Sequence, residues 1–330
     1  MRKVLYTLVC IVAVLAAVGS SLSLLTDTPS KYLKFLDFPR LQFFWAAVAS
    51  VPLFVVLTRH WRWYDKLLVF GLVASAGIQA YYLVNYTPIV GTDLPDVQAS
   101  TPEDDRFSIL LANVMMSNRK AAPLLTLISR ERPDIIIGME TDAWWDEQLQ
   151  PVQEQYPYSR EVINDVAYGM VLYSRFPLGD VAVRYLQNDR VPSMEATVTL
   201  PSGKTFELHA VHPVPPTDFQ QLPDNEGQSE KAFLLIGDLV EESTLPVVVA
   251  GDFNDVAWSR TDRMTGTEDL LHDVRVGRGI YTSFDAQKRL MRWPLDHVIA
   301  TDHFAVGRIA KLEDIGSDHF PILVEMALER

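Results

Sequence analysis

Several apolar runs in this chain end on, or are led by, a side chain able to hold a metal or move a proton. Asn113 lies near the end of the run Phe107 to Val114. Glu140 follows Ile135-Ile136-Ile137-Gly138-Met139, and His212 ends the run Phe206 to Val211. Asp252 and Asn254 follow Val247-Val248-Val249-Ala250-Gly251, while Asp318 and His319 precede the run Phe320 to Met326. Each has an ordinary explanation alone, since a Glu after a strand is usually a surface residue and an Asp-x-Asn usually an Asx turn. Together with Asp296 they form a different set: hard oxygen donors with two imidazoles beside them. Mg²⁺ takes few carboxylates and keeps several waters, which leaves room for a phosphate. A metal held this way polarises a phosphoryl oxygen and orients an attacking water.

Such residues converge only if the runs are strands ending on one edge. Phe107 to Val114, Asp134 to Met139, Gly169 to Tyr173, Pro246 to Ala250, Asp296 to Ala300 and Phe320 to Met326 read as strands. The β-branched run before Gly251 is that of a strand covered on both faces. Ala196 to Leu200 and Thr205 to Val211 read as a hairpin across Pro201-Ser202-Gly203-Lys204. Helical spacing covers Ala121 to Arg130, ending before Pro133, and Ser229 to Glu241. Many short strands with few helices predict packed sheets faced by helices. Ligands bind where strand ends of such layered folds meet.

Gly251-Asp252-Phe253-Asn254, Gly316-Ser317-Asp318-His319, Pro294-Leu295-Asp296-His297 and the strand ends at Asn113 and Glu140 resemble the endonuclease/exonuclease/phosphatase superfamily. The resemblance runs over roughly 106–327. It implies a four-layer α/β sandwich, two mixed β-sheets flanked by helices, and activity on phosphodiester or phosphomonoester bonds with Mg²⁺ as cofactor and Mn²⁺ as a fitting substitute. It also implies roles. Glu140 is the main metal ligand, helped by Asn113 and Asp318. Asp252 and Asn254 face the scissile phosphate and the attacking water. His319, oriented by Asp296, contacts the phosphoryl oxygen or serves as base, and His212 matches the general acid of the nuclease branch. Asp252 and His319 compete for the water's proton. His209 and Arg175 read as structural, His297 as a satisfied core or surface histidine, and His272 and His303 as loop residues. Glu195 is a candidate hydrogen-bonding partner in the site, and Trp144-Trp145 reads equally as a substrate wall or as packing.

The first third has a different composition. Val4 to Leu25 is 22 residues without a charge, Leu41 to Leu57 is 17 and Leu67 to Val84 is 18; a bilayer core needs about 20, with about 17 as the lower limit. The expected organisation is a three-helix membrane module over 1–87, a solvated Pro- and acid-rich linker over 88–105, and a catalytic domain over 106–330. Arg2, Lys3, Arg59, Arg62 and Lys66 lie on one side of these runs, against Lys31, Lys34 and Arg40 on the other. That bias puts the N-terminus in the cytoplasm and the catalytic domain outside the cell (inner) membrane. If the first run is instead a signal peptide cleaved near Ala17 to Ser21, two spans remain and the domain still ends outside. The whole looks like membrane-anchored bacterial members of the superfamily.

Charge narrows the partners. Residues 97–330 hold 37 acidic and 21 basic residues, a net of −16, so tight sequence-independent binding to duplex DNA is not expected, although a local basic groove could still exist. Lipid headgroups, other nucleic acid and small phosphoesters remain as substrates, and the anchor favours a lipid phosphodiester. The sole cysteine, Cys10, lies in the first apolar run, so the domain has neither disulfides nor a cysteine metal site. A membrane-anchored sensor that kept the fold without catalysis is the alternative. Its signature would be loss of a metal carboxylate or of the Asp–His pair, and every such position is filled here.

Overall fold

The computed structural model describes residues 1–25, 31–186, 188–215, 228–259, 265–267 and 269–329. Residues 26–30 of the expected loop from Thr26 to Arg40 lie outside that set. The chain divides into two compact units, Met1–Val90 and Gly91–Arg330.

The first unit contains α1 (Arg2–Leu22), α2 (Lys31–Lys34), α3 (Arg40–Leu57) and α4 (Trp63–Leu83). Helices α1, α3 and α4 are long and apolar enough to cross a membrane, and less than a third of each span is buried. They meet through small side chains: Ala13, Ala16 and Ala47 pack with Leu72, and a Cβ at Gly19 would lie 2.6 Å from the Phe43 ring. Small residues allow the close helix approach that membrane bundles rely on. Arg40 is buried, pairing with Asp37 and donating to Ser23 and Gln79.

The second unit begins with β1 (Arg106–Asn113), α5 (Ala121–Glu131), β2 (Ile135–Met139), α6 (Ala143–Gln153), β3 (Tyr158–Val162), β4 (Met170–Ser174) and β5 (Leu178–Arg184). It continues with β6 (Ser193–Thr199), β7 (Thr205–Val211), α7 (Gln228–Glu242), β8 (Val247–Asp252), β9 (His272–Asp273), β10 (Asp296–Ala300), β11 (Phe304–Lys311) and β12 (Ile322–Leu328). The strands form two six-stranded sheets, in the orders β11-β12-β1-β2-β4-β3 and β5-β6-β7-β8-β10-β9. Each is mixed: β1 pairs parallel with β2 and β7 parallel with β8, and the remaining pairs are antiparallel.

Alternation along the strands builds three apolar layers. Ile109, Leu111, Ile137, Leu172, Leu208, Ala250 and Val298 point between the sheets. Leu124, Leu127 and Ile128 of α5 and Trp145, Leu149 and Val152 of α6 cover the outer face of the first sheet. Phe233, Ile236 and Val240 of α7 cover the second. Helices, sheet, sheet and helix make the expected four layers. Of the expected linker, the stretch from Gly91 packs on this unit, with Leu94 fully buried in the inter-sheet core and the Val97 N–H donating to the Val306 carbonyl at 3.0 Å.

Arg132 ends α5 in the left-handed conformation (φ 51°), where its N–H still reaches the Ile128 carbonyl at 2.9 Å. Pro133 bars another turn, and the chain enters β2. Asp142 caps α6 by accepting from the Trp145 N–H at 3.0 Å, which fixes how the chain leaves Glu140.

Phe206 anchors the inter-sheet layer. It is fully buried, stacked on Phe107 at 4.7 Å and edge-on to Phe304 at 5.5 Å. Phe206→Ala should destabilise the unit by about 3–5 kcal/mol, the range for emptying such a site. Chemical denaturation of the two proteins measures this; a cost under about 1 kcal/mol would mean that the layer closes over the gap.

Candidate active site

The two sheets end side by side. From the first come Asn113 at the end of β1, Glu140 just after β2, and the loop Gly316 to His319 entering β12. From the second come His212 just after β7, Asp252 ending β8, and Asp296 opening β10. Seven of the eight residues expected from sequence belong to these segments, and the eighth, Asn254, lies in the turn just after β8.

Antiparallel pairing of β8 with β10 sets Asp252 directly opposite Asp296. Both are almost fully buried. His319 bridges them: its Nδ1 lies 2.8 Å from Asp296 Oδ2 and its Nε2 lies 3.4 Å from Asp252 Oδ2. Burial alone would lower the His319 pKa, but the charges of Asp252 and Asp296 outweigh it and push the imidazole up to about 10. His319 is therefore an imidazolium at neutral pH, with its Nδ1–H given to Asp296.

Asn113 joins the sheets. Its Nδ2 donates to Glu140 Oε1 at 2.9 Å and to Asp252 Oδ2 at 3.0 Å, and its Oδ1 accepts from the Met115 N–H at 3.0 Å. The Met116 N–H holds the other Glu140 oxygen at 3.1 Å. Met115, Glu140 and Asn254 have positive φ (57°, 60° and 53°), a conformation costly to non-glycine residues that gathers at functional sites. Burial raises the Glu140 carboxyl, helped by the nearby charge of Asp318 and opposed by hydrogen bonds from Asn113 and Met116.

Asn254 donates from its backbone N–H to Asp252 Oδ1 at 2.9 Å and from Nδ2 to the Pro213 carbonyl at 3.0 Å. The latter bond ties it to the segment carrying His212. The His212 Nε2 stands 3.7 Å from Asp252 Oδ2, and its ring packs 4.9 Å from the Tyr168 ring. Burial pushes the His212 pKa down to about 4, so the ring is neutral.

Sequence reasoning missed the groups that hold these residues. Ser317 Oγ donates to the Asn113 carbonyl at 2.8 Å and accepts from the His319 N–H at 3.0 Å, pinning the loop to β1. Ser283 Oγ receives the Leu295 and Asp296 N–H groups, both at 3.2 Å. Buried Arg275 is clamped by Asp273 and reaches His297 Nδ1 at 2.7 Å, while His297 Nε2 meets the Asp255 carbonyl at 2.8 Å. With the His297 ring stacked on Phe253 at 4.5 Å, this buttresses the turn after Asp252 from behind. No motif announces Arg275; Ser317 lies within Gly316-Ser317-Asp318-His319. Gly251 is required for a further reason: at φ 149° its missing Cβ would lie 1.9 Å from the Val211 carbonyl oxygen.

Other candidates lie elsewhere. Glu195 pairs with Arg184 at 2.5 Å, on the face of β6 and β7 that carries His209 and Glu207, so it takes no part in this site. Trp145 is fully buried on the inner face of α6, and Arg119 covers Trp144 at 5.0 Å, which makes both packing residues. Arg175 donates to the Arg132 carbonyl at 3.0 Å.

The donor set fits a hard divalent cation. Glu140 is a desolvated carboxylate that an adjacent cation would favour. Buried Asp296 Oδ1 and His212 Nδ1 lack hydrogen-bond partners among the described residues. Asp252, Asp296 and His319 bring their polar atoms within 4.8 Å of one another, but the protonated ring has no lone pair to give, which leaves Glu140 as the metal candidate. Asn113 turns its Nδ2, not its Oδ1, to Glu140, so its oxygen reaches a metal beside Glu140 only with the amide turned over.

A family model described as "Endonuclease/Exonuclease/phosphatase family" matches residues 110–319. A UPF0294 protein of Klebsiella pneumoniae (strain 342) is 36% identical over 97 residues, which span 29% of this chain and 35% of that protein. A humanized D. rerio TDP2 superposes with TM-score 0.55 at 16% identity, covering 67% of this chain and 99% of that one. The human Nocturnin catalytic domain with bound sulfate gives TM-score 0.53 at 16% identity, covering 69% and 96%. An endonuclease/exonuclease/phosphatase from Bacteroides vulgatus gives 0.54 at 19%, covering 68% and 99%. At these identities the solved structures establish the fold.

The raised His319 pKa has a thermodynamic consequence in metal-free protein. A folded value of about 10 against an ordinary 6.5 stabilises the fold fully below about pH 6.5, and the contribution is lost as pH rises through about 10. Asp296→Asn removes part of it. In EDTA, the unfolding midpoint of the variant should trail wild type clearly near pH 6 and by less near pH 10; a gap that widens with pH would refute the assignment.

Proposed function

The chain belongs to the endonuclease/exonuclease/phosphatase family, and on that premise we propose that it is a membrane-anchored, Mg²⁺-dependent hydrolase of phosphodiester or phosphomonoester bonds. The observation that carries this reading is the meeting of the Asp252–His319–Asp296 array with the Asn113–Glu140 pair at one edge of both sheets.

Glu140, with Asp318 and Asn113, would hold the metal, and Mn²⁺ suits the same donors. The bound metal supplies Lewis acidity at the phosphoryl oxygen. The remaining work falls to this chain's side chains. His319 presents the proton on Nε2 toward a phosphoryl oxygen, and Asp296 keeps the ring protonated and fixes its orientation. Asp252 Oδ2 accepts the proton of the attacking water, which Asn254 helps to place. His212, neutral in the free protein, donates its proton to the leaving oxygen. An incoming phosphate anion opposes the burial that depresses its pKa. The strained turn at Glu140 and the buttress behind Asp252 keep these groups in place before substrate arrives, and such preorganisation is where much of an enzyme's rate comes from.

The organisation proposed is a membrane module of three crossings with the N-terminus inside, and a catalytic domain on the periplasmic or extracellular face. The 5-to-3 bias of basic residues and the three apolar helices support it. Membrane-impermeant amine labelling of intact cells should reach lysines after residue 90; labelling only after the cells are broken would reverse the orientation.

The full chain, purified in detergent, should hydrolyse bis-p-nitrophenyl phosphate or p-nitrophenyl phosphate with Mg²⁺ and stop in EDTA. Glu140→Gln and His319→Asn should each lower kcat by about 10²–10³, the cost of removing one transition-state contact. Turnover indifferent to both variants would place the chemistry elsewhere, and a folded protein that binds no Mg²⁺ would favour the sensor.

A further inference from the structure

The segment between β9 and β10 folds back beside the active site as a hairpin. Phe284 and Trp293 pair across it, and the Asp285 N–H donates to the Met291 carbonyl at 3.1 Å. Its base is fastened to the catalytic loop. The Ala286 N–H donates to the Asp318 carbonyl at 2.7 Å, the Phe320 N–H to the Ser283 carbonyl at 2.8 Å, and the Phe284 ring lies 4.9 Å from that of His319.

The tip is unlike the rest of the unit's surface. Leu290 is 85% exposed and Met291 47% exposed, within Lys288-Arg289-Leu290-Met291-Arg292. Asp285 offsets Lys288 at 2.8 Å, leaving Arg289 and Arg292 as the local excess. Arg292 also braces the hairpin, donating to the Ala286 carbonyl at 3.1 Å and covering the Phe320 ring at 4.8 Å. A rigid base carrying an aliphatic, cationic tip is thus held at the rim of a phosphoester site. Aliphatic side chains flanked by Arg and Lys suit the boundary between lipid headgroups and acyl chains. Attraction to anionic headgroups acts over about one Debye length, 8–10 Å at physiological salt, so the tip's charge counts there more than the net of −16 over residues 97–330. Single-stranded nucleic acid is held by aromatic platforms along a basic groove, and the tip offers no aromatic ring.

We propose that the hairpin Phe284–Trp293 seats Leu290 and Met291 in an anionic lipid surface, and that the phosphoester cleaved beside it is one presented at that surface. The substrate half of this inference rests on the hydrolase reading above; the seating half does not.

Two measurements on the full chain test them separately. With Cys10→Ser and Leu290→Cys, a polarity-sensitive fluorophore is placed at the tip, and with Cys10→Ser and Glu241→Cys on α7 as control. In nanodiscs of phosphatidylcholine with phosphatidylglycerol, the tip probe should shift blue and be quenched by doxyl-labelled lipid. The effect should weaken in phosphatidylcholine alone and at high salt. A tip probe no more quenched than the control overturns the seating. In the second measurement, Leu290→Asp with Met291→Asp should leave bis-p-nitrophenyl phosphate turnover unchanged and cut phosphatidylglycerol turnover about tenfold or more, the order expected for losing two inserted side chains. Equal loss on both substrates, no loss on either, or loss confined to single-stranded DNA overturns the substrate class. Wild type inactive on every ester while its tip is quenched overturns the hydrolase reading and leaves the seating standing.

Discussion

Asp252 and Asp296 face each other on neighbouring strands, both buried, and like charges so placed repel. The fold tolerates the pair because the His319 imidazolium stands between them. Everything nearby can be read as holding that arrangement. Ser317 fixes the loop that delivers His319, Ser283 fixes the backbone under Asp296, and Gly251 lets β8 pass close enough to β7 to put Asp252 in line. Replacing one member alone would strand a buried charge, which costs far more than an intact pair returns.

A second group of charges is set against this one without merging. Asn113 spends one amide nitrogen on both Glu140 and Asp252, keeping the two carboxylates on either side of a neutral spacer. The division of labour proposed for the site follows from it. Glu140 and Asp318 are half-buried, where a cation could be held with its waters, while the Asp–His–Asp array lies deeper and in that proposal handles protons. His212 would complete the second role in that proposal, since burial keeps it neutral.

The central strands were legible in the sequence and the edges were not. All eight strands expected from apolar runs are present, and β3, β5, β9 and β11, which were missed, are the four outer strands of the two sheets. A strand covered on both faces writes an unbroken apolar run. An edge strand such as Tyr158–Val162, with three exposed and two half-buried residues, writes nothing distinctive. Helix α6 is not among the expected helices; it is 11 residues long and carries Pro151 in its last turn. At the site, the residues expected to carry charge or protons sit at the ends of strong runs, and the fold brings them together. Their supports, Arg275 and Ser283 above all, lie in irregular segments whose partners are distant in sequence. Only folding reveals them.

The bond from Asn113 to Asp252 runs from one sheet to the other, and so does that from the Asp252 N–H to the Met139 sulfur at 3.1 Å. The chemistry is therefore mounted across the gap that the inter-sheet side chains fill. The site acts as a calliper on that gap: a core residue far from any phosphate, by spreading the sheets a fraction of an ångström, opens the jaws. On the hydrolase reading, turnover would then also read out how tightly the sandwich is filled, and packing that leaves the fold intact could still detune it.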